Sequence, residues 1–323
     1  MSYEYKSVLA PIINELITEK RSLGLKYESA EKGLKKLDVF FAEHNLAEPA
    51  LTRETVEAFV TIKPNETLNN RSKRVTDVRE LARYMNAHGY NAYVYPRLPN
   101  GCYKSAFAPY IFTNEELVAF FKAVDSDTKE SAVKYSVIFR LLYCTGMRIG
   151  EVLALTYEDV NFNQGTIFIR QGKKNRDRMI PVDPHMLKIL QNFILEHRKN
   201  ICPSDHIFVS PHHDTLKHNA VYDVFRKYLW KAGIPHEGRS KGPQIHSFRH
   251  TFCVHRMRNW VLEGSDLNAL YPYICAYMGH ADTRSTEYYT RLTADLFPDI
   301  RRKCEEYLSS ETEGESKEGM NDA

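Results

Sequence analysis

The sequence predicts a mainly α chain with one small β-sheet, an α+β fold divided into two domains. Three observations carry that expectation. The 323 residues exceed what one core of ordinary size serves, at roughly 100–200 residues per domain. Apolar residues recur at helical spacing along most of the chain, and the period changes to alternation in one stretch, "GTIFIRQGKKNRDRMIPV". A run holding Pro96, Pro99, Gly101 and Pro109 interrupts the helical pattern.

That run marks a boundary. Residues 1–92 are expected to form a helical domain, 93–109 a linker, 110–308 a second domain with a C-terminal helix, and 309–323 a disordered acidic tail. Composition is that of a globular protein, 43% hydrophobic and 26% charged. There is no apolar run of about 18 residues, so no transmembrane helix is expected. The opening "MSYEYKSVLAPIINELITEK" lacks the apolar core and cleavage site of a signal peptide. The cysteines, Cys102, Cys144, Cys202, Cys253, Cys275 and Cys304, form no CxxC pair and read as dispersed thiols of a reducing cytoplasm. Net charge is +3, but the last 15 residues carry five acids against one base, which leaves +7 on the remainder. A basic surplus of that size fits a polyanion partner and many unrelated proteins as well.

Helices are expected in order. "SVLAPIINELITEKRSLG" ends on Gly24, suited to a left-handed C′ position. "SAEKGLKKLDVFFAEHNL" is amphipathic, and "LTRETVEAFV" opens on Thr52. "LNNRSKRVTDVRELARYMNAHG" ends at Gly89, with Val75, Val78, Ala82 and Met85 as an apolar stripe. Arg71, Lys73, Arg74, Arg79 and Arg83 are placed mostly off that stripe, either as a solvated face or as a basic face laid against DNA phosphates. In the second domain Thr113 and Glu116 form a capping box before "NEELVAFFKAV". "SAVKYSVIFRLLYCTG" stops near Gly146, and "RIGEVLAL" makes a short helix. The strand-like runs Thr166–Arg170 and Arg178–Val182 enclose a basic tip, predicting a β-hairpin. Helices then return from Pro184 to the C-terminal "PDIRRKCEEYLSS".

Four short stretches carry candidate chemistry. In "TGMRIGEVLAL", Arg148 could clamp a phosphate with two parallel hydrogen bonds while Glu151, one turn on, holds it in place. The bland alternative is a surface helix pair worth a few tenths of a kcal/mol. In "IHSFRHTF", His246, Arg249 and His250 fall at i, i+3 and i+4, on one helix face. The two histidines have metal-ligand spacing, but no Glu follows His246 and Arg249 would bring a fixed positive charge to the cation, so no metal is expected. The set suits an anion with mobile protons, such as a phosphodiester. A second histidine cluster, His212, His213, Asp214 and His218, lies in a polar loop and reads as solvated surface. Finally "YMGHADTRSTEYYT" supplies His280 and the pair Tyr288 and Tyr289. A phenol is a weak nucleophile near neutral pH because its pKa is about 10; it needs cations on the phosphate and a proton acceptor nearby.

Three of these stretches, "TGMRIGEVLAL", "IHSFRHTF" and "YMGHADTRSTEYYT", with the hairpin "QGKKNRDRMIPV", stand in the order and spacing of the tyrosine recombinases, or phage integrase family, which the chain resembles from about residue 110 to 300. Four motifs together are specific where each alone is not. The resemblance implies a core-binding, DNA-contacting N-terminal domain and a catalytic second domain. It implies that Arg148 and Arg249 bind the scissile phosphate, that Lys173 is general acid toward the leaving 5′-oxygen, that His246 and His280 assist proton transfer and phosphate contact, and that Tyr289 is the nucleophile. Relatives commonly have Gly where this chain has Lys174. Phe248 replaces a common Leu, and Tyr288 falls at a position often apolar in relatives. Arg71, Lys73, Arg74, Arg79, Lys174 and Arg176 are the expected DNA-contact side chains.

The implied reaction is site-specific recombination through a 3′-phosphotyrosine bond, without metal or other cofactor, by a homotetramer on double-stranded DNA, with accessory directionality proteins as further partners. The C-terminal segment is implied to pack onto a neighbouring protomer. Two other readings share parts of the pattern: a type IB-like topoisomerase, and a non-catalytic DNA-binding relative. The length, the helical N-terminal part and His246 favour a recombinase over the first, and the six matching side chains stand against the second.

Overall fold

The computed structural model describes residues 3–44, 47–64, 66–98, 109–170, 177–212, 214–236 and 242–279. It divides into two units, Met1–Phe107 and Ala108–Ala323.

Four helices build the first unit: α1 (Ala10–Ser22), α2 (Glu28–Glu43), α3 (Arg53–Val60) and α4 (Leu68–Ala87). Gly24 takes φ +79°, which lets its own N–H reach Arg21 O at 2.9 Å and the Leu25 N–H reach Lys20 O at 3.2 Å, closing α1. Thr52 and Thr67 cap α3 and α4, accepting from the N–H groups of Thr55 and Asn70. The expected stripe on α4 is buried, and Leu81 joins it; the core is completed by Ile13 and Leu16 of α1 and Leu37 and Phe41 of α2. Tyr93, Val94 and Tyr95 pack on that core, and Tyr93 N–H donates to Leu51 O at 2.7 Å.

One expected DNA contact on α4 is corrected here. Arg74 is 5% exposed. Its Nε donates to Glu66 Oε1 at 3.0 Å, its Nη2 donates to Thr61 O at 3.0 Å and to Glu66 Oε2, and its Nη1 donates to Phe59 O. It braces the end of α3 and the following loop, so it does not present a cation to solvent. The reason is periodic: positions 74, 78, 81 and 85 fall at i, i+4, i+7 and i+11, so Arg74 continues the buried stripe. The others also have internal partners. Half-buried Arg71 donates through Nε to Val60 O at 2.9 Å. Exposed Lys73 bonds Ser29 O at 2.8 Å and Asp77 Oδ2 at 3.1 Å. Half-buried Arg79 donates to Tyr95 O.

The second unit contains α5 (Asn114–Asp125), α6 (Glu130–Thr145), α7 (Ile149–Leu153), a 3-10 turn (Tyr157–Asp159), β1 (Val160–Asn161), β2 (Thr166–Ile169), β3 (Arg178–Pro181), α8 (Pro184–His197), α9 (His218–Lys231), α10 (Ser247–Leu262) and α11 (Leu267–Met278). The Thr113/Glu116 capping box forms in both directions. Asp183 Oδ1 accepts from His185 N–H at 2.9 Å and Met186 N–H at 3.2 Å, with Pro184 in the first turn of α8. The sheet is antiparallel in the order β1-β2-β3, with Ile167 opposite Ile180. The hairpin strands stand where alternation places them; β1 is a short addition that sequence patterning does not reveal.

The core of this unit centres on α10. Phe248 is fully buried and stacks on Phe112 with centroids 5.1 Å apart, while Phe120 and Phe225 meet it edge-on at 5.4 and 5.6 Å. An aromatic ring is therefore what this cluster accommodates at position 248. No helix among the described residues is long and apolar enough to cross a membrane.

The buried brace at Arg74 is directly testable. Arg74→Ala leaves the largely enclosed Glu66 carboxylate without its cationic partner, with the Lys63 N–H still donating to it at 3.2 Å, and is expected to cost about 3 kcal/mol. Urea unfolding of the full chain measures it, and a loss below about 0.5 kcal/mol would match only an exposed pair.

Candidate active site

The site begins where α6 stops. Gly146 takes φ +59°, and a Cβ there would fall 2.5 Å from Phe252 Cδ1, so both the backbone and the packing demand glycine. The turn buries Met147 and makes Arg148 the N-cap of α7. Glu151 then reaches back. Its Oε2 accepts from Arg148 N–H at 2.9 Å and its Oε1 accepts from Arg148 Nη1 at 2.8 Å. This is no surface helix pair: the Glu151 side chain is 8% exposed.

A second guanidinium explains how that carboxylate stays ionised. Arg178, the first residue of β3, donates in parallel to Glu151 through Nη1 at 3.0 Å and Nη2 at 2.8 Å. Burial alone would raise the Glu151 pKa, but hydrogen bonds from Arg178 and from the Arg148 amide and side chain outweigh it, and the pKa is lowered to about 2.

Two arginines also meet the end of α11. The last carbonyls of a helix lack intrahelical partners and carry the negative end of its dipole. Here Tyr277 O accepts from Arg178 Nε at 2.9 Å, and Met278 O accepts from Arg249 Nη2. Arg249, 1% exposed, also donates through Nη1 to Gly146 O at 2.6 Å. One guanidinium on α10 thus joins the ends of α6 and α11. Gly279 follows at φ +64°, and a Cβ on it would come within 3.0 Å of Arg178 Nη1.

His246 caps α10 with its side chain exposed; its carbonyl accepts from Arg249 N–H at 3.1 Å and His250 N–H at 3.3 Å. The His246 and His250 rings meet edge-on with centroids 4.7 Å apart, while Arg249 turns inward. His212, Asp214 and His218 are exposed. Among the described residues no group of three or more His, Cys, Asp or Glu is placed to hold a metal ion.

Of the expected site residues, Arg148 and Arg249 are tied to the turn at Gly146–Arg148, and His246 stands at the head of the helix that carries Arg249. Lys173, Lys174, Arg176, His280, Tyr288 and Tyr289 lie outside the described residues. Their flanks are described: Ile169 pairs with Arg178 at the base of the hairpin, and Gly279 directly precedes position 280. Sequence reading overlooked Arg178, taking it only as a strand start. Alternation held the signal, because Arg178 shares a face with Ile180 and Val182, both buried.

The sequence model of the Phage integrase family matches residues 111–295. Among curated proteins the chain is similar to the tyrosine recombinase XerA of Pyrococcus furiosus, 29% identical over 62% of this chain and 61% of that protein. It is also similar to the tyrosine recombinase XerC of Oceanobacillus iheyensis, 27% identical over 76% of this chain and 78% of that one. Among solved structures it resembles the XerH site-specific recombinase bound to palindromic difH substrate in a post-cleavage complex, with TM-score 0.64 at 17% identity over 90% of this chain and 83% of that chain. The Tn1549 transposon integrase in complex with transposon right end DNA aligns with TM-score 0.61 at 17% identity, over 92% and 99%. At these identities the structures support the fold, mainly helical with a small three-stranded sheet.

The Glu151 network makes a pH prediction. A carboxyl whose folded pKa is depressed contributes stability that is complete above its unfolded value, near 4.5, and is lost as pH falls through about 2. The stability difference between the natural chain and Glu151→Gln should therefore shrink by about 3 kcal/mol between those limits. Urea unfolding at stepped pH reads it, and a pH-independent difference would contradict the depressed pKa.

Proposed function

This chain belongs to the phage integrase family and is a tyrosine-type site-specific recombinase, and we propose that Arg148, Lys173, His246, Arg249, His280 and Tyr289 form its active site. The observation that carries this reading is the gathering of Arg148 and Arg249 at one turn, with the end of α11 held against Arg249 just before position 280.

The proposed reaction is a phosphodiester exchange. Tyr289 Oη attacks the phosphorus, the bond from phosphorus to the 5′-oxygen breaks, and a 3′-phosphotyrosine bond replaces it. Arg148 and Arg249 stabilise the charge that builds on the non-bridging oxygens, where preorganised cations act most strongly. Lys173 gives a proton to the leaving 5′-oxygen, and His246 and His280 take part in proton transfer and phosphate contact. The 5′-hydroxyl of a partner strand then attacks the phosphotyrosine and regenerates the phenol. One phosphodiester-type bond is exchanged for another at each step, so no nucleotide hydrolysis is required. Two rounds of exchange in a homotetramer would pass through a Holliday junction, with the C-terminal segment of one protomer packed on its neighbour and accessory proteins setting direction. The proposed site of action is the cytoplasm.

In the first unit, the proposed phosphate contacts are Lys73, Arg71, Arg79 and their neighbours on α4, without Arg74. Arg79, Arg83 and Arg97 line one groove of about 820 Å³, whose wall also holds Lys20 paired with Glu19 and Glu80. Burial, and then Arg83 and Arg97, hold the Arg79 pKa below its usual value. Like charges kept this close favour a polyanion that neutralises them. Lys174 and Arg176 would add contacts from the hairpin of the second unit.

Two experiments test these assignments. In the first, the full chain is incubated with a pool of random nicked duplexes, and adducts that survive denaturation are sequenced. Tyr289→Phe should abolish the adduct and retain binding, while Tyr288→Phe should leave most activity; the reverse pattern would move the nucleophile. In the second, the salt dependence of binding to the recovered duplex is measured. Arg83→Ala and Arg97→Ala should each lower the slope of log affinity against log salt by about 0.9, and unchanged slopes would remove the groove from the DNA interface.

A further inference from the structure

Arg178 lies outside the six positions named above, on the strand that leaves the hairpin. Its side chain is 11% exposed, and it bonds both oxygens of Glu151 and the carbonyl of Tyr277. We propose that Arg178 is a positioning residue for the phosphoryl transfer, which offsets the charge of Glu151 so that the charge of Arg148 remains available to the phosphate. The inference rests on Arg148 being a phosphate ligand.

The argument is one of charge and geometry. Arg148 and Glu151 alone form a neutral pair, and a neutral pair in a partly enclosed site attracts an anionic phosphate weakly. Arg178 restores one positive charge to the cluster. It does so with a two-bond fork that engages both carboxylate oxygens, whereas the Arg148 side chain engages Oε1 through Nη1. Glu151 can then fix the direction of Arg148 without cancelling its field.

The same guanidinium is a mechanical link. Through Nε it holds Tyr277 O, and Arg249 holds the next carbonyl, Met278 O. Gly279 passes so close to Arg178 that a side chain would be crowded. Arg178 thus ties β3, the second strand of the hairpin, to α7 and to the last turn of α11.

A pair of substitutions separates this role from a merely structural one. Single-turnover cleavage and equilibrium binding are measured with the nicked duplex recovered by the full chain. Arg178→Met should slow cleavage about 100-fold, the scale of a displaced active-site group, with binding changed less than about threefold. Glu151→Gln should slow the natural chain, because Arg148 loses its guide. In the Arg178→Met background it should instead speed cleavage, because it removes an unbalanced negative charge. That reversal of sign is the expected result. A further loss or no change from Glu151→Gln in that background, or cleavage by Arg178→Met within threefold of the natural chain, would overturn the proposal. Should Arg178→Met fail to fold, Arg178→Lys carries the test: it keeps the charge but not the fork, is expected to slow cleavage about tenfold, and overturns the proposal if it cleaves at the natural rate. Failure of the natural chain to form any adduct would instead strike the reading on which the inference rests.

Discussion

A buried guanidinium between two helix ends is the constraint on which the second unit depends. Arg249 is nearly fully enclosed and spends two donors on Gly146 O and Met278 O. Burying a charge there is costly unless strong acceptors receive it, and helix C-termini supply them in the form of carbonyls without intrahelical partners. The exchange fixes where α6 and α11 end relative to α10. From the first end the chain turns directly into Arg148, and from the second it proceeds to position 280. A residue that the family resemblance marks as a phosphate ligand is therefore also a structural joint, so its position and that of its neighbours are set together.

Around this joint, charge is arranged so that it is directed and not quenched. Glu151 would by itself neutralise Arg148. Arg178 prevents this and, with Arg249, occupies consecutive carbonyls at the end of α11. Preorganised cations act on a transition state without having to move toward it. The glycines at 146 and 279 permit the close approach, because neither position has room for a side chain without displacing Phe252 or Arg178.

Much of this was legible in the sequence because it depends on local rules. The stops at Gly24, Gly89 and Gly146, the caps at Thr52 and Thr113, and the hairpin strands follow from backbone preference and periodicity, and they stand where those rules put them. The pairing of Glu151 with Arg148 was readable from their spacing of three. What escaped depends on contacts distant in sequence. Arg178 meets Glu151 across 27 positions and Tyr277 across 99, and only its place on the inward face of β3 hinted at such a role. Arg74 escaped for a different reason: its charge suggested solvent, while its helical phase placed it on the buried stripe with Val78, Leu81 and Met85. Among the arginines of α4, phase decides more than charge.

The most direct measurement of the central claim is a structure of the full chain bound to a nicked duplex that it cleaves, with Tyr289 replaced by Phe to hold the complex before reaction. The expected result is a single backbone phosphate whose non-bridging oxygens lie at about 2.7–2.9 Å from guanidinium nitrogens of both Arg148 and Arg249, with Glu151 still held in the fork of Arg178. A phosphate bound elsewhere, with Arg148 folded onto Glu151 and Arg249 engaged by protein carbonyls alone, would contradict it.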